Sequence, residues 1–247
     1  MPIKVLVLGV HNDDPEYGCG GVAKLLSDLG AEVSFGWLSS RYHQNLYDCE
    51  HQKDERNLLG LKEKLCAFVD TPDAIRFDEK TVAAYSEMIA RVEPDIAFIM
   101  WPRDNHTEHE HCAKAQLEAM TRAGGACREI YAYEVGPLQT SAHFGMPDLS
   151  VNISSVIDDV RQALNFFSDD PEADSPLWYE KKVSAALRGH AAYAKVNGFD
   201  EDFAYAEAFK IIKLPNGADD FLLRRLLADK FRWGGTGCYY RYKEYYF

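Results

Sequence analysis

Val7-Leu-Gly-Val-His11-Asn-Asp13-Asp14-Pro-Glu16-Tyr-Gly18-Cys-Gly20-Gly21 is the stretch on which the reading of this chain turns. Ile3 to Gly9 is an apolar run broken only by Lys4, the pattern of a strand buried on both faces. From about Tyr17 to Leu29 the apolar positions recur at helical spacing. A histidine and two adjacent carboxylates therefore stand where a strand hands over to a helix, and open α/β sheets bind ligands beyond the carboxyl ends of their strands. Asn12 to Asp14 would also suit an ordinary tight turn, which favours Asn, Asp and Gly. A second polar stretch weighs against that plainer reading: Trp101-Pro-Arg-Asp104-Asn-His106-Thr-Glu108-His109-Glu-His111.

The elements between and beyond these stretches alternate. Ala31 to Ser39 reads as a strand, and Arg41 to Lys53 as a loop leading into a helix that Gly60 closes. Lys64 to Asp70 is a strand, Asp73 to Phe77 a short extra one, and Lys80 to Val92 a helix with Val82, Tyr85, Met88, Ile89 and Val92 on one face. Pro94 to Met100 is a strand, His106 to Arg122 a helix ended by Gly124-Gly125, and Arg128 to Val135 a strand. This order predicts a doubly wound, mostly parallel, Rossmann-like α/β sheet with helices on both faces, built from residues 1–135. Residues 136–247 read as an α+β extension: a strand at 148–153, helices at about 154–168, 176–197 and 219–230, and Tyr205 to Ile212 as either strand or helix. No linker, repeat or low-complexity stretch divides the chain, so residues 1–247 are read as one domain.

Composition narrows the function. A core of 247 residues at 47% hydrophobic content needs no disulfide staples. A net charge of -12 argues against nucleic acid as partner. No apolar run approaches the ~20 residues of a membrane span, and Met1 to Val10 reads as the first strand, not as a signal segment. The six cysteines are scattered without a CxxC pair, as expected of reduced thiols in a cytoplasmic protein. The closing segment, with Trp233, Tyr239, Tyr240, Tyr242, Tyr245, Tyr246 and Phe247, is expected to cover the core or a subunit contact, which makes a homo-oligomer the expected state.

In the strand order 3-2-1-4-5 the first and fourth strands are neighbours, and both polar stretches leave from their carboxyl ends into one crevice. His106 and His109 are three positions apart at a helix start and share a face. Two imidazoles and one carboxylate with an open fourth position are the ligand set of a catalytic zinc. Asp13, beside a ligand, is then placed to take a proton from water, and a histidine that is not a ligand can face a developing oxyanion.

The run His11-Asn-Asp13-Asp14-x-Glu16-x-Gly18-Cys-Gly20-Gly21 resembles the His-Pro-Asp-Asp-Glu-Glu-Leu-Gly-Cys-Gly-Gly signature of the PIG-L/LmbE-like zinc de-N-acetylases. Pro102-x-Asp104-x-His106-x-Glu108-His109 resembles that family's Pro-x-Asp-x-His-Pro-Asp-His motif, with weaker likeness at Pro147 to Ile153 and Tyr205 to Phe209. The resemblance covers most of residues 1–212 and implies zinc, or another divalent ion, on His11, Asp14 and His109. It implies Asp13 as general base, His106 as the group facing the oxyanion or the leaving amine, and Asp104 and Glu108 as supporting residues. The implied substrate is a small-molecule amino-sugar conjugate carrying an N-acetyl group. Asn12 stands in place of Pro, Pro15 in place of an acid, and Glu108 in place of the Asp that buttresses the histidine pair. Asp48 to Glu55 matches the family poorly, which implies a different substrate rim, and His111 has no family role and reads as surface.

Two other readings compete. Ser39-Ser-Arg41 after the second strand suits a 2′-phosphate and so an NADP-type nucleotide-binding protein, but the GxGxxG fingerprint is absent. A non-catalytic sugar-binding relative is the other, and the presence of every reactive residue argues against it.

Overall fold

Strand runs as apolar as those of this chain can be buried only between two helical layers. The computed structural model describes residues 1–39, 56–68, 74–135, 144–165, 187–188, 191–192, 204–215 and 221–233. Its strands are β1 (Lys4–Leu8), β2 (Glu32–Ser39), β3 (Glu63–Phe68), β4 (Ile96–Met100), β5 (Glu129–Tyr133), β6 (Leu149–Asn152), β7 (Ala206–Lys213) and β8 (Phe231–Trp233). Its helices are α1 (Asp14–Asp28), α2 (Glu79–Val92), α3 (Thr107–Arg122), α4 (Ile157–Asn165) and α5 (Leu222–Leu227). The strands form one sheet in the order β3-β2-β1-β4-β5-β7-β6-β8. The first five are mutually parallel, β7 runs antiparallel to β5 and β6, and β8 pairs antiparallel with β6. The expected order 3-2-1-4-5 is therefore the observed one, and β1 and β4 are neighbours. No helix among the described residues is long and apolar enough to cross a membrane.

Local signals account for the helix ends. Asp78 caps α2 by accepting from the Thr81 N–H at 2.9 Å. Gly124 and Gly125 follow α3 with φ of 65° and 85°, a conformation that costs glycine little. α1 begins at Asp14, earlier than the expected Tyr17, because Pro15 fills the first turn, where its missing N–H costs nothing. Three further expectations are corrected. Residues 74–77 are not a strand; Ile75 bonds side chains of α3 instead. The ambiguous Tyr205 to Ile212 is the strand β7. The helix expected at 219–230 shortens to Leu222–Leu227. The expected loop at 41–53, the helix at 176–197 apart from 187–188 and 191–192, and the aromatic tail beyond Trp233 lie outside the described residues.

β7 is tied to the opposite face by a buried carboxyl. The two oxygens of Glu207 accept from the Gly21 N–H at 2.7 Å and the Val22 N–H at 2.8 Å. Burial pushes the Glu207 carboxyl up to about 8, against the pull of those two amides. This contact seats α1 over β7, and α1 approaches the sheet closely. A Cβ on Gly18 would lie 1.9 Å from Tyr133 Cδ2. Tyr133 cannot swing away without loss, because its hydroxyl donates to the Leu8 carbonyl at 2.8 Å. Gly18→Ala is therefore expected to lower the melting temperature by about 5 °C or more, the consequence of an overpacking cost of ~1–3 kcal/mol in a domain of this size. Gly20→Ala is the control, since its Cβ would sit at an ordinary 3.4 Å from Val160. Equal melting temperatures for the two variants would contradict this packing.

Candidate metal centre and active site

The two polar loops meet because one side chain ties the strands from which they leave. Gln116 of α3 accepts from the Met100 N–H at 2.9 Å and donates to the Gly9 carbonyl at 3.4 Å. Tyr85 of α2 donates to the same carbonyl at 2.8 Å. In the sequence Tyr85 reads only as part of an apolar face, and Gln116 carries no marked role. The signal for Gln116 is its place on the same helical stripe as the buried His109, Cys112 and Ala113.

After Leu8 the chain stays beside β2, with the Leu38 and Ser39 amides both donating to the Val10 carbonyl at 2.9 Å, and His11 bridging Ser39. Asp14 closes the turn: its Oδ2 accepts from the Val10 and His11 amides, each at 2.8 Å. A dinucleotide pyrophosphate would need such loop amides for itself. Here a carboxylate of the chain already holds them, while Ser40 and Arg41, on which the nucleotide-binding alternative leans, lie outside the described residues.

His11, Asp14 and His109 are all buried, and they offer one donor atom each within 4.8 Å of one another. His11 Nδ1 lies 3.6 Å from Asp14 Oδ2, and His109 Nε2 lies 3.5 Å from Asp14 Oδ1. Donors bound at ~2.0–2.1 Å around a tetrahedral ion are separated by roughly 3.4 Å; each imidazole stands at about that spacing from one oxygen of Asp14, and the three residues could hold a metal ion. Each imidazole also meets a carboxylate through its other nitrogen. His109 Nδ1 is 2.8 Å from Asp104 Oδ2, and His11 Nε2 is 3.0 Å from Glu108 Oε2. That pairing fixes ring orientation and tautomer in metal sites generally.

Charge points the same way. Burial opposes ionisation of His11, but hydrogen bonds to Asp14 and Glu108 outweigh it and hold the ring up at about 10. Burial likewise opposes the shift of His109, which Asp14 and Asp104 raise. Asp14, despite its burial, is held well below the usual carboxylate range by His109 and His11. Three acids around two imidazoles thus create a buried demand for positive charge, which a divalent cation would meet.

Other residues singled out in the sequence lie around this cluster. His106 is the N-cap residue of α3, with its ring centroid 4.5 Å from that of His109 and 5.5 Å from that of His11. Burial, then the neighbouring His109 and His11, lower the pKa of His106, so its ring is neutral at pH 7. The His106 amide donates to Asp104 Oδ1 at 2.8 Å, so Asp104 holds both the backbone of His106 and the ring of His109. Asp13 is the N-cap residue of α1 but makes no side-chain capping bond. Glu108 reaches across the crevice to His11 and to the Ile75 amide at 2.9 Å, a wider role than buttressing the histidines of its own helix. His111, expected at the surface, is half-buried, with Nδ1 3.3 Å from the Ile75 carbonyl oxygen.

Comparison with known proteins agrees with this geometry. Residues 6–120 match a family model described as PIG-L: GlcNAc-PI de-N-acetylase. The chain is 25% identical over 209 residues to a probable N-acetyl-alpha-D-glucosaminyl L-malate deacetylase 2 of Bacillus cereus, covering 76% of this chain and 94% of that protein. It is 25% identical over 230 residues to the diacetylchitobiose deacetylase of Thermococcus kodakarensis, covering 85% of this chain and 83% of that one. Among solved structures, the 4-carboxy-2-hydroxymuconate hydratase of Pseudomonas putida superposes with a TM-score of 0.69 at 20% identity, over 89% of this chain and 100% of the other. That last likeness is one of fold.

Proposed function

We propose that this chain, whose residues 6–120 match the PIG-L de-N-acetylase family, removes an acetyl group from the nitrogen of an amino-sugar conjugate with zinc held by His11, Asp14 and His109. The observation that carries the reading is the buried His-Asp-His cluster with a third histidine, His106, against it and a second aspartate, Asp13, next to its Asp14 in the chain. The two curated relatives are both named for deacetylation of N-acetylated sugars, which supports the substrate class.

A divalent ion held by these donors would supply Lewis acidity and would make water a nucleophile near neutral pH. Asp13, beside the ligand Asp14, takes the proton from the attacking water. His106, whose ring lies beside those of His109 and His11, donates a hydrogen bond to the oxygen on which negative charge develops. The proton held by Asp13 then passes to the departing amine nitrogen, so that acetate and a free amine are the products. Asp104 and Glu108 keep the ligand rings turned so that His109 presents Nε2 and His11 presents Nδ1.

The test is release of primary amine from a panel of N-acetylglucosamine conjugates by zinc-loaded protein, with and without a chelator. Chelator-sensitive release is the expected result; a metal-loaded protein that frees no amine from any of them overturns the substrate assignment. Within that assay His106→Ala is expected to keep its zinc and to slow turnover by on the order of 100-fold or more. Loss of zinc from His106→Ala would instead place that histidine among the ligands.

A further inference from the structure

The backbone of Ile75, between β3 and α2, is held at both polar groups by the first turns of α3. Its N–H donates to Glu108 Oε1 at 2.9 Å, and its carbonyl oxygen lies 3.3 Å from His111 Nδ1. The other oxygen of Glu108 is 3.0 Å from His11 Nε2. One buried carboxylate thus spans a ligand of the metal centre and a stretch of chain against it, joining residues 33 and 97 positions from Glu108 in sequence.

The chemistry of this bridge is exacting. An amide N–H can only donate. His11 Nε2 must also carry a proton if Nδ1 is the metal donor, a condition that rests on the function proposed above. Two donors therefore face one side chain, and only a carboxylate accepts from both. Glutamine offers one acceptor and one NH2 group, so one of the two contacts becomes donor against donor. Aspartate has both acceptors but is one C–C bond, about 1.5 Å, too short to make both contacts without backbone movement. Glutamate is the residue found here, at one of the two positions, with Thr107, where this chain departs from the Pro-x-Asp-x-His-Pro-Asp-His pattern.

We propose that Glu108 is a positioning residue that couples the metal ligand His11 to the chain at Ile75, so that metal binding and the order of residues 74–77 beside the crevice rise and fall together. Coupling of this kind is reciprocal: an ion that fixes His11 steadies Ile75, and a bridge that fixes Ile75 strengthens the hold on the ion. The side chain acts through His11 and through the backbone; it is not assigned any contact with substrate.

The experiment measures zinc affinity by competition with a chromogenic chelator, and amide hydrogen exchange at Ile75 by NMR with and without zinc. It is run on the wild-type chain, Glu108→Gln and Glu108→Asp, with melting temperatures recorded for each. In the wild type zinc is expected to slow exchange at Ile75 by about tenfold or more. In both variants zinc affinity is expected to fall by ~10–100-fold, and the effect of zinc on Ile75 to disappear. A variant that keeps wild-type affinity together with zinc-dependent protection of Ile75 overturns the proposal. So does a wild-type protein that binds zinc without any change at Ile75, a measurement that stands even if neither variant folds. A wild-type protein that binds no divalent ion overturns the metal assignment itself, and so is distinguishable from failure of the bridge.

Discussion

His109→Ala is expected to empty the metal centre, leaving a small fraction of the zinc that the wild-type chain retains, with amine release falling in parallel. In the proposed site the side chain is one of three donors, and its Nε2 faces Asp14 Oδ1 at 3.5 Å while Nδ1 is anchored on Asp104 at 2.8 Å. Losing a group that merely supports a ligand costs ~10–100-fold in affinity, and losing the ligand itself costs more. The two donors that remain no longer surround the ion. The substitution also leaves Asp14 and Asp104, both buried, without the imidazole between them. Uncompensated buried carboxylates are expensive, so the variant should also melt at a lower temperature than the ion-free wild type. Elemental analysis of protein purified under identical conditions decides the matter. Equal zinc in both proteins would show that His109 is not a ligand. Release of amine at the wild-type rate by a zinc-free variant would show that the cluster is not where the chemistry happens.

Much of this site is legible in the sequence itself, and the reasons are local. β1 and β4 are continuous apolar runs, and their carboxyl ends are where polar chemistry concentrates in an open α/β sheet, so His11, Asp14 and His109 fall into one crevice. The pairing of His109 with Asp104 follows from a helix start only a few residues long. What the sequence leaves hidden depends on partners far along the chain. Tyr205 to Ile212 carries both a two-residue and a helical period, and the strand prevails because Glu207 bonds the amides of Gly21 and Val22 in α1. The resemblance makes Glu108 a supporting residue of the histidine pair, but nothing nearby in the sequence marks His11 and Ile75 as its partners. Gln116 reads as an exception on an apolar stripe until its bonds to Met100 and Gly9 give it a purpose. Asp14-Pro15 reads as a turn, whereas in the structure it opens α1. That last difference bears directly on how the two adjacent aspartates divide their roles.

Asp13→Asn is expected to keep its zinc and its stability while losing activity by a factor of ~10²–10⁴, the range for removal of general-base assistance. An extended loop would turn neighbouring side chains to opposite sides, but Asp13 and Asp14 are not in one. Asp13 is the N-cap residue and Asp14 the first residue of α1. Successive side chains at a helix start diverge by about 100°, which is enough for one to turn inward and the other toward the crevice mouth. Asp14 is the inward one: it is buried, and its Oδ2 is committed to the Val10 and His11 amides. Asp13 is partly exposed and makes no side-chain capping bond, although aspartate at that position commonly does. Replacing it with asparagine therefore removes no capping bond, keeps the size of the side chain and abolishes its ability to take a proton. Asp14→Asn fails in another way. It preserves one acceptor for the loop amides but removes the charge that the two imidazoles and the cation share, so zinc is lost along with activity. Bound zinc and amine release measured on both variants separate the roles. If Asp13→Asn loses the metal while Asp14→Asn stays loaded, ligand and base are exchanged; if both stay loaded and fully active, the proton is taken elsewhere.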